Sequence, residues 1–172
     1  MTSVAEPSAG LVVVRASVSD PLVEPLLREL EWEYSSRYGG DARGELNRYP
    51  AEEFAPPHGV LLLVLENGEP IAGGAFRRYD DSTAELKRIW TAAAHRRRGL
   101  ARRVVAELER EAEARGYRRI HLTTGPRQPE ARGLYLATGY TPLFDTDADP
   151  ETVGPLPFEK HLDPDSTRTG KA

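Results

Sequence analysis

The sequence predicts one mixed α/β domain, with a mostly antiparallel central sheet flanked by helices. Three observations predict it. At 172 residues the chain suits a single compact domain and leaves little room for a second. Three strand-like runs follow one another between residues 59 and 91, joined by short turns. From Leu100 onward the apolar period lengthens, and helices alternate with strands to the end of the chain. The expected organisation is one domain over residues 11–162, with flexible tails at 1–10 and 163–172 that are rich in Ser, Thr, Pro and Gly.

Leu11–Arg15 is a short β-branched run and opens the sheet. Ser19-Asp20-Pro21 is a helix start, a capping side chain followed by a proline at the first helical position. Leu22, Val23, Leu26, Leu27, Leu30 and Tyr34 then recur at helical spacing, and the helix fades near Tyr38-Gly39-Gly40. A second, short helix is expected over residues 44–48. Residues 59–65 form a strand. The Asn67-Gly68 turn folds it back onto a second strand at 71–79, because both residues accept the positive φ of a tight hairpin. Asp80-Asp81-Ser82 turns the chain again into a third strand at 84–91.

Leu100, Ala101, Val104, Val105, Leu108 and Ala112 make one apolar stripe on a helix whose other face is Arg and Glu, and Gly116 stops it. A strand at 117–124 places Ile120, Leu122 and Thr124 on one side. A helix at 129–138 ends before Gly139, and strands at 140–144 and 158–162 close the sheet.

The chain has no cysteine, which excludes disulfides, thiolate metal sites and a cysteine nucleophile. His58, His95, His121 and His161 are scattered without metal-ligand spacing, so no metal is expected. The net charge of -4 argues against a protein that grips nucleic acid by its overall charge. Neither a signal peptide nor a span-length apolar run is present, so a cytoplasmic location without membrane contact is expected.

The chemistry concentrates between residues 85 and 140. Arg96-Arg97-Arg98-Gly99-Leu100-Ala101 lies between a strand and the long helix. The first amides of a helix point out of its N-terminus, and the dipole there favours an anion. Gly99 and the small Ala101 allow close approach to the backbone, and the arginines add charged donors for phosphate oxygens. The loop predicts a diphosphate site. It is neither a Walker loop nor a Rossmann fingerprint, which need a Gly-Lys-Ser/Thr or three spaced glycines. Arg96–Arg98 with Arg102 and Arg103 leave nucleic acid as a rival, diluted by Glu107, Glu109, Glu111 and Glu113 and by the lack of an aromatic stacking platform.

The loop resembles the Arg/Gln-x-x-Gly-x-Gly/Ala signature of the GCN5-related N-acetyltransferase (GNAT) superfamily, through Arg96, Gly99 and Ala101. A second signature is matched by Gln128, Ala131, Leu134-Tyr135 and Gly139-Tyr140, with Gln128 where that family usually has Asn. The resemblance spans roughly residues 11–162. It implies acetyl-coenzyme A as the cofactor, with its pyrophosphate on Arg96, Arg97, Arg98, Gly99, Leu100, Ala101 and Arg102. It also implies that the backbone of Ile89, Trp90 and Thr91 pairs with the pantetheine arm and polarises the thioester carbonyl. Gln128 and Ala131 border the arm, and Tyr135 protonates the departing sulfur.

Alternation along 84–91 puts Glu85, Lys87, Ile89 and Thr91 on one face and Leu86, Arg88 and Trp90 on the other. Glu85 resembles the catalytic glutamate of the histone acetyltransferase branch, and is expected to deprotonate the acceptor amine or to be ion-paired beside Lys87 and Arg88. Trp32, Tyr34, Arg37, Tyr38 and Arg88 are candidates to line the acceptor site, Arg88 by meeting a substrate carboxylate. The acidic segment 145–151 could attract a cationic amine or simply be solvated. The expected activity is direct transfer of an acetyl group to a primary amine, most readily of a small molecule, by a chain able to form a homodimer. A silent acyl-CoA-binding domain and an acetyltransferase acting on protein lysines or N-termini stay open as alternatives.

Overall fold

The computed structural model describes residues 10–39 and 49–162, so the helix expected at 44–48 and both tails lie outside the described residues. Seven strands form one sheet: β1 (Leu11–Arg15), β2 (Val60–Glu66), β3 (Glu69–Asp80), β4 (Thr83–Thr91), β5 (Arg119–Thr124), β6 (Thr141–Pro142) and β7 (Leu156–His161). Their order is β1-β2-β3-β4-β5-β7-β6. Every neighbouring pair is antiparallel except β4 and β5, which run parallel. A parallel pair needs a crossover, and the long helix α2 (Leu100–Ala114) supplies it.

The core has two layers, one on each sheet face. On one face Leu100, Val104, Val105, Leu108 and Ala112 of α2 pack on Leu62, Leu86, Ile120, Leu122 and Phe158. On the other, Val23, Leu26 and Leu30 pack on Leu61, Leu63, Ala75 and Trp90, with Phe54 beside them. Val60 to Val64 is covered on both sides, which is why β2 reads as a continuous apolar run rather than an alternating one. Helix α1 spans Glu24–Tyr38, entered through a 3-10 turn at Pro21–Val23. Asp20 caps that turn by accepting a hydrogen bond from the Leu22 N–H at 2.9 Å.

β4 departs from simple alternation. Lys87 faces Ala75, but Trp90 faces Gly73, so Arg88 and Ile89 together oppose Gly74. Arg88 takes a positive φ of 61° to make this bulge. The phase of the strand flips there. Leu86 and Ile89 join the α2 face, while Trp90 joins the α1 face and donates its indole N–H to Glu29 Oε1 at 3.1 Å. The expected partition of Ile89 and Trp90 is thus reversed by the extra residue. Gly74 makes room for the bulge: a Cβ there would sit 2.6 Å from Ile89 Cδ1 and 2.9 Å from Val104 Cγ1.

Helix α3 (Pro129–Ala137) follows β5. The strand expected at 140–144 shrinks to Thr141–Pro142, since proline has no N–H to extend the ladder. The acidic segment holds a short helix, α4 (Pro150–Val153), capped by Asp149, and Glu151 pairs with Arg127 at 2.9 Å. No helix among the described residues is long and apolar enough to cross a membrane.

Candidate active site

β4 and β5 are hydrogen-bonded only from Thr83 to Glu85 against Arg119 to His121. Beyond that register the two strands part, and the edge of β4 facing β5 has no ladder partner over residues 86–91. Unpaired strand groups need another partner. The gap opens into a cavity of about 710 Å³ that passes between the strands. Leu86, Arg88, Ile89 and Thr91 form one wall, and Leu122, Thr123 and Thr124 form the other.

One end of the cavity is the start of α2. Gly99 is its N-cap at φ 73°, with no side chain capping the helix, so the first amides are open toward the cavity. Arg97 is also left-handed, at φ 67°, and together the two turns fold the loop around that end. Arg96, Arg97, Gly99, Leu100, Ala101 and Arg102 all line the cavity. Arg96 lies 3.6 Å from Glu33, and the Arg102 guanidinium reaches the Ala137 carbonyl at 3.4 Å. This arrangement fits a diphosphate, because it combines open helix amides with fixed positive charge and no side chain in the way.

α3 supplies the far wall through Ala131, Leu134 and Tyr135. Tyr135 is buried and packs edge-on against Tyr140 at 5.3 Å, with Phe158 at 5.9 Å. Burial, helped by the nearby Tyr34, pushes its phenol well above the usual range, so it is a neutral donor at any ordinary pH. Gln128 accepts the Gly125 N–H at 2.9 Å and reaches Glu33 with its amide nitrogen at 3.5 Å. α1 closes the remaining side with Glu33, Tyr34 and Arg37. Arg37 joins Glu33 to Glu130, at 3.8 and 2.5 Å. Burial alone would raise the Glu130 carboxyl, but its own backbone N–H and Arg37 outweigh it and hold it low.

Five of the expected residues stand outside the cavity lining. Glu85 is buried and bound to Arg77 at 2.7 Å, with Lys87 at 3.8 Å, and does not line the cavity. It is ion-paired to both. Arg98 turns back to Glu66 at 2.7 Å, tying the loop to the β2–β3 hairpin. Burial of Trp90 beneath α1 follows from the bulge, and leaves only its backbone near the gap. Trp32 is 71% exposed on the outer face of α1. The Tyr38 hydroxyl lies against Gly125 and accepts the Arg127 N–H at 3.0 Å, which fixes the loop before α3.

Sequence reasoning missed Glu33, Leu86, Leu122, Thr123, Thr124 and Glu130, and gave Leu134 only as part of a signature. Thr123 and Thr124 were within reach, as the polar end of an otherwise apolar strand before Gly125-Pro126. Glu33 was not, since one more glutamate in a charged helix carries no signal.

A parted parallel strand pair with a helix N-terminus at one end defines an acyl-CoA-dependent acyltransferase architecture, and the comparisons place the chain within it. Residues 24–140 match the model of the Acetyltransferase (GNAT) family. The uncharacterized N-acetyltransferase YsnE from Bacillus subtilis (strain 168) is 38% identical over 119 residues, covering 58% of this chain and 79% of that protein. An acetyltransferase from Streptococcus agalactiae 2603 superposes with a TM-score of 0.69 at 20% identity, covering 89% of this chain and 99% of that one. The PaiA N-acetyltransferase of Thermoplasma acidophilum, solved with coenzyme A, gives a TM-score of 0.68 at 16% identity, covering 88% and 98%. The chain belongs to the GNAT acetyltransferase family and is an acyltransferase enzyme.

Proposed function

We propose that the protein transfers an acetyl group from acetyl-CoA to the primary amine of a small molecule, with both bound together in the cleft between β4 and β5. The parting of β4 from β5 beyond Glu85, with the uncapped start of α2 at one end and Tyr135 in the wall, carries this reading. The residues present fit the cofactor. Arg96, Arg97 and Arg102 with the first amides of α2 suit its phosphates, and the open edge of residues 86–91 suits its amide-bearing arm. When bound, acetyl-CoA supplies an activated acetyl thioester and a thiol leaving group.

The residues of this chain then do four things. The cleft holds the amine close to the acyl carbon, which removes the entropy cost of encounter. Backbone amides of the free β4 edge donate to the carbonyl oxygen where negative charge develops. Tyr135 keeps a proton on its hydroxyl for the departing thiolate. Glu33 and Glu130, the two carboxylates lining the cavity among the described residues, are both engaged by Arg37. The proton of the acceptor ammonium is therefore assigned to solvent at the open mouth, and the amine enters as the free base. The direct test is thiol release from acetyl-CoA across a panel of small amines. Release that depends on both partners supports the reading, and a protein that binds acetyl-CoA yet turns over no amine overturns it in favour of a silent binding domain.

A further inference from the structure

We propose that Glu109, Lys160 and Tyr140 are positioning residues for Tyr135, a network that holds its phenol where it meets the departing sulfur. This rests on the reading of Tyr135 as proton donor and adds the groups that aim it.

The network acts at the end of α3. Gly139, at φ 95°, turns the chain out of the helix, and the Tyr140 N–H comes back to the Tyr135 carbonyl at 3.0 Å. In this helix ending, the residue after the glycine often packs its side chain on the residue whose carbonyl it meets. Here the contact is ring on ring, with Tyr140 edge-on to Tyr135 at 5.3 Å. Tyr140 thus grips Tyr135 twice, by backbone and by side chain. Tyr135 lines the cleft, whereas Tyr140 is buried behind it and does not.

Two other elements tie Tyr140 down in turn. Its hydroxyl donates to Glu109 of α2 at 2.7 Å, and Lys160 of β7 donates to both oxygens of the same carboxylate, at 3.2 and 3.3 Å. Lys160 also donates to the Thr138 carbonyl at 2.9 Å, a group that the end of α3 leaves without a helical partner. Its ammonium lies 5.4 Å from the centre of the Tyr140 ring. Burial and the Glu109 carboxylate both keep the proton on Tyr140, so it stays the donor at neutral pH. Packing needs none of this, because a phenylalanine at 140 would offer Tyr135 the same ring. An ion pair taken out of water adds little net stability over apolar side chains of the same size, but it fixes one arrangement. The arrangement fixed is that of α3 against α2, whose first turn is the diphosphate end of the cleft. Tyr135 is thereby set relative to the helix that receives the cofactor. Proton transfer needs the two heavy atoms within hydrogen-bond reach, so that setting governs the rate.

The test is a double-mutant cycle in the thiol-release assay, with Tyr140→Phe and Glu109→Gln each made alone and combined with Tyr135→Phe. Retained thermal stabilisation by acetyl-CoA shows that a variant is folded with its cleft intact. Tyr140→Phe and Glu109→Gln should each lower kcat by about tenfold, with KM for both substrates within about twofold of wild type. In the Tyr135→Phe background, assayed at raised enzyme concentration, the same changes should lower the residual kcat by less than about twofold, because the hydroxyl they aim is gone. Equal losses in the two backgrounds, an unchanged kcat in both single variants, or loss of the acetyl-CoA stabilisation would reduce the network to a structural role and overturn the proposal. If Tyr135→Phe itself keeps the wild-type kcat, the proton-donor reading falls first and the proposal falls with it.

Discussion

At the scale of single residues, burial decides which groups can do chemistry. Tyr135 sits in an apolar wall beside Tyr140 and Phe158, and burial there keeps its hydroxyl protonated far above neutral pH. Replacing it by Phe removes one oxygen and little packing, so Tyr135→Phe should lower kcat by about 10²- to 10⁴-fold. The stabilisation by acetyl-CoA should be nearly unchanged, as read by thermal shift. Glu85 provides the contrast. Its buried carboxylate is held by the part-buried Arg77 guanidinium, so Glu85→Gln should cost on the order of 1–3 kcal/mol in urea unfolding and leave kcat within several-fold of wild type. A collapse of kcat in a variant that keeps its stability would return Glu85 to the chemistry. Tyr135 was legible from its place in a signature. The environment of Glu85 was not, because strand alternation gives a face and says nothing about an arginine eight residues earlier on the neighbouring strand.

At the scale of elements, local sequence gives the strands and helices well and their interruptions poorly. The Asn67-Gly68 hairpin, the α2 stripe and the glycine stop at 116 are local signals, and the elements they predict are present at or near their expected bounds. The β4 bulge is not local. It depends on Gly73 and Gly74 facing Trp90 and Ile89 across the ladder, and its effect is to swap two side chains between faces. A Gly74→Ala change should push Ile89 into the cleft, costing about 1–3 kcal/mol in stability and weakening acetyl-CoA binding, both measurable by calorimetry. Gly99 acts through conformation instead, since a Cβ there meets open space but the residue stands at φ 73°. Gly99→Val should therefore disturb the loop geometry, weakening cofactor binding while costing only about 1–2 kcal/mol.

At the scale of the whole molecule, the sheet is one continuous body cut by a single parting between β4 and β5. Two buried phenols, Tyr135 and Tyr140, make its stability sensitive to alkali. Burial raises both, and Glu109, accepting a hydrogen bond from Tyr140 at 2.7 Å, raises the second further. A raised value means that the folded state holds these protons more tightly than the unfolded chain. Their contribution is therefore complete below the ordinary phenol value of 10.0 and is lost as pH rises above it, so the urea midpoint should fall beyond pH 10. Catalysis should follow a different group. With the amine entering as its free base, kcat/KM should rise with pH through the pKa of whichever amine is supplied. Two acceptors of different basicity should give shifted profiles, and a common profile would point to a base on the protein.

Acetyl-CoA is proposed to occupy the cleft between β4 and β5 with its phosphates at the start of α2. Thermal unfolding with and without acetyl-CoA, with NAD and ATP as controls, tests it most directly. At a concentration near one hundred times Kd, linkage gives about 2.7 kcal/mol, or an increase in Tm of about 5–10 °C for a chain of this size. That rise is expected for acetyl-CoA alone, with its loss when Arg97 and Arg102 are replaced by Ala. A Tm that does not move at about one millimolar acetyl-CoA, or that rises equally with ATP, would contradict it.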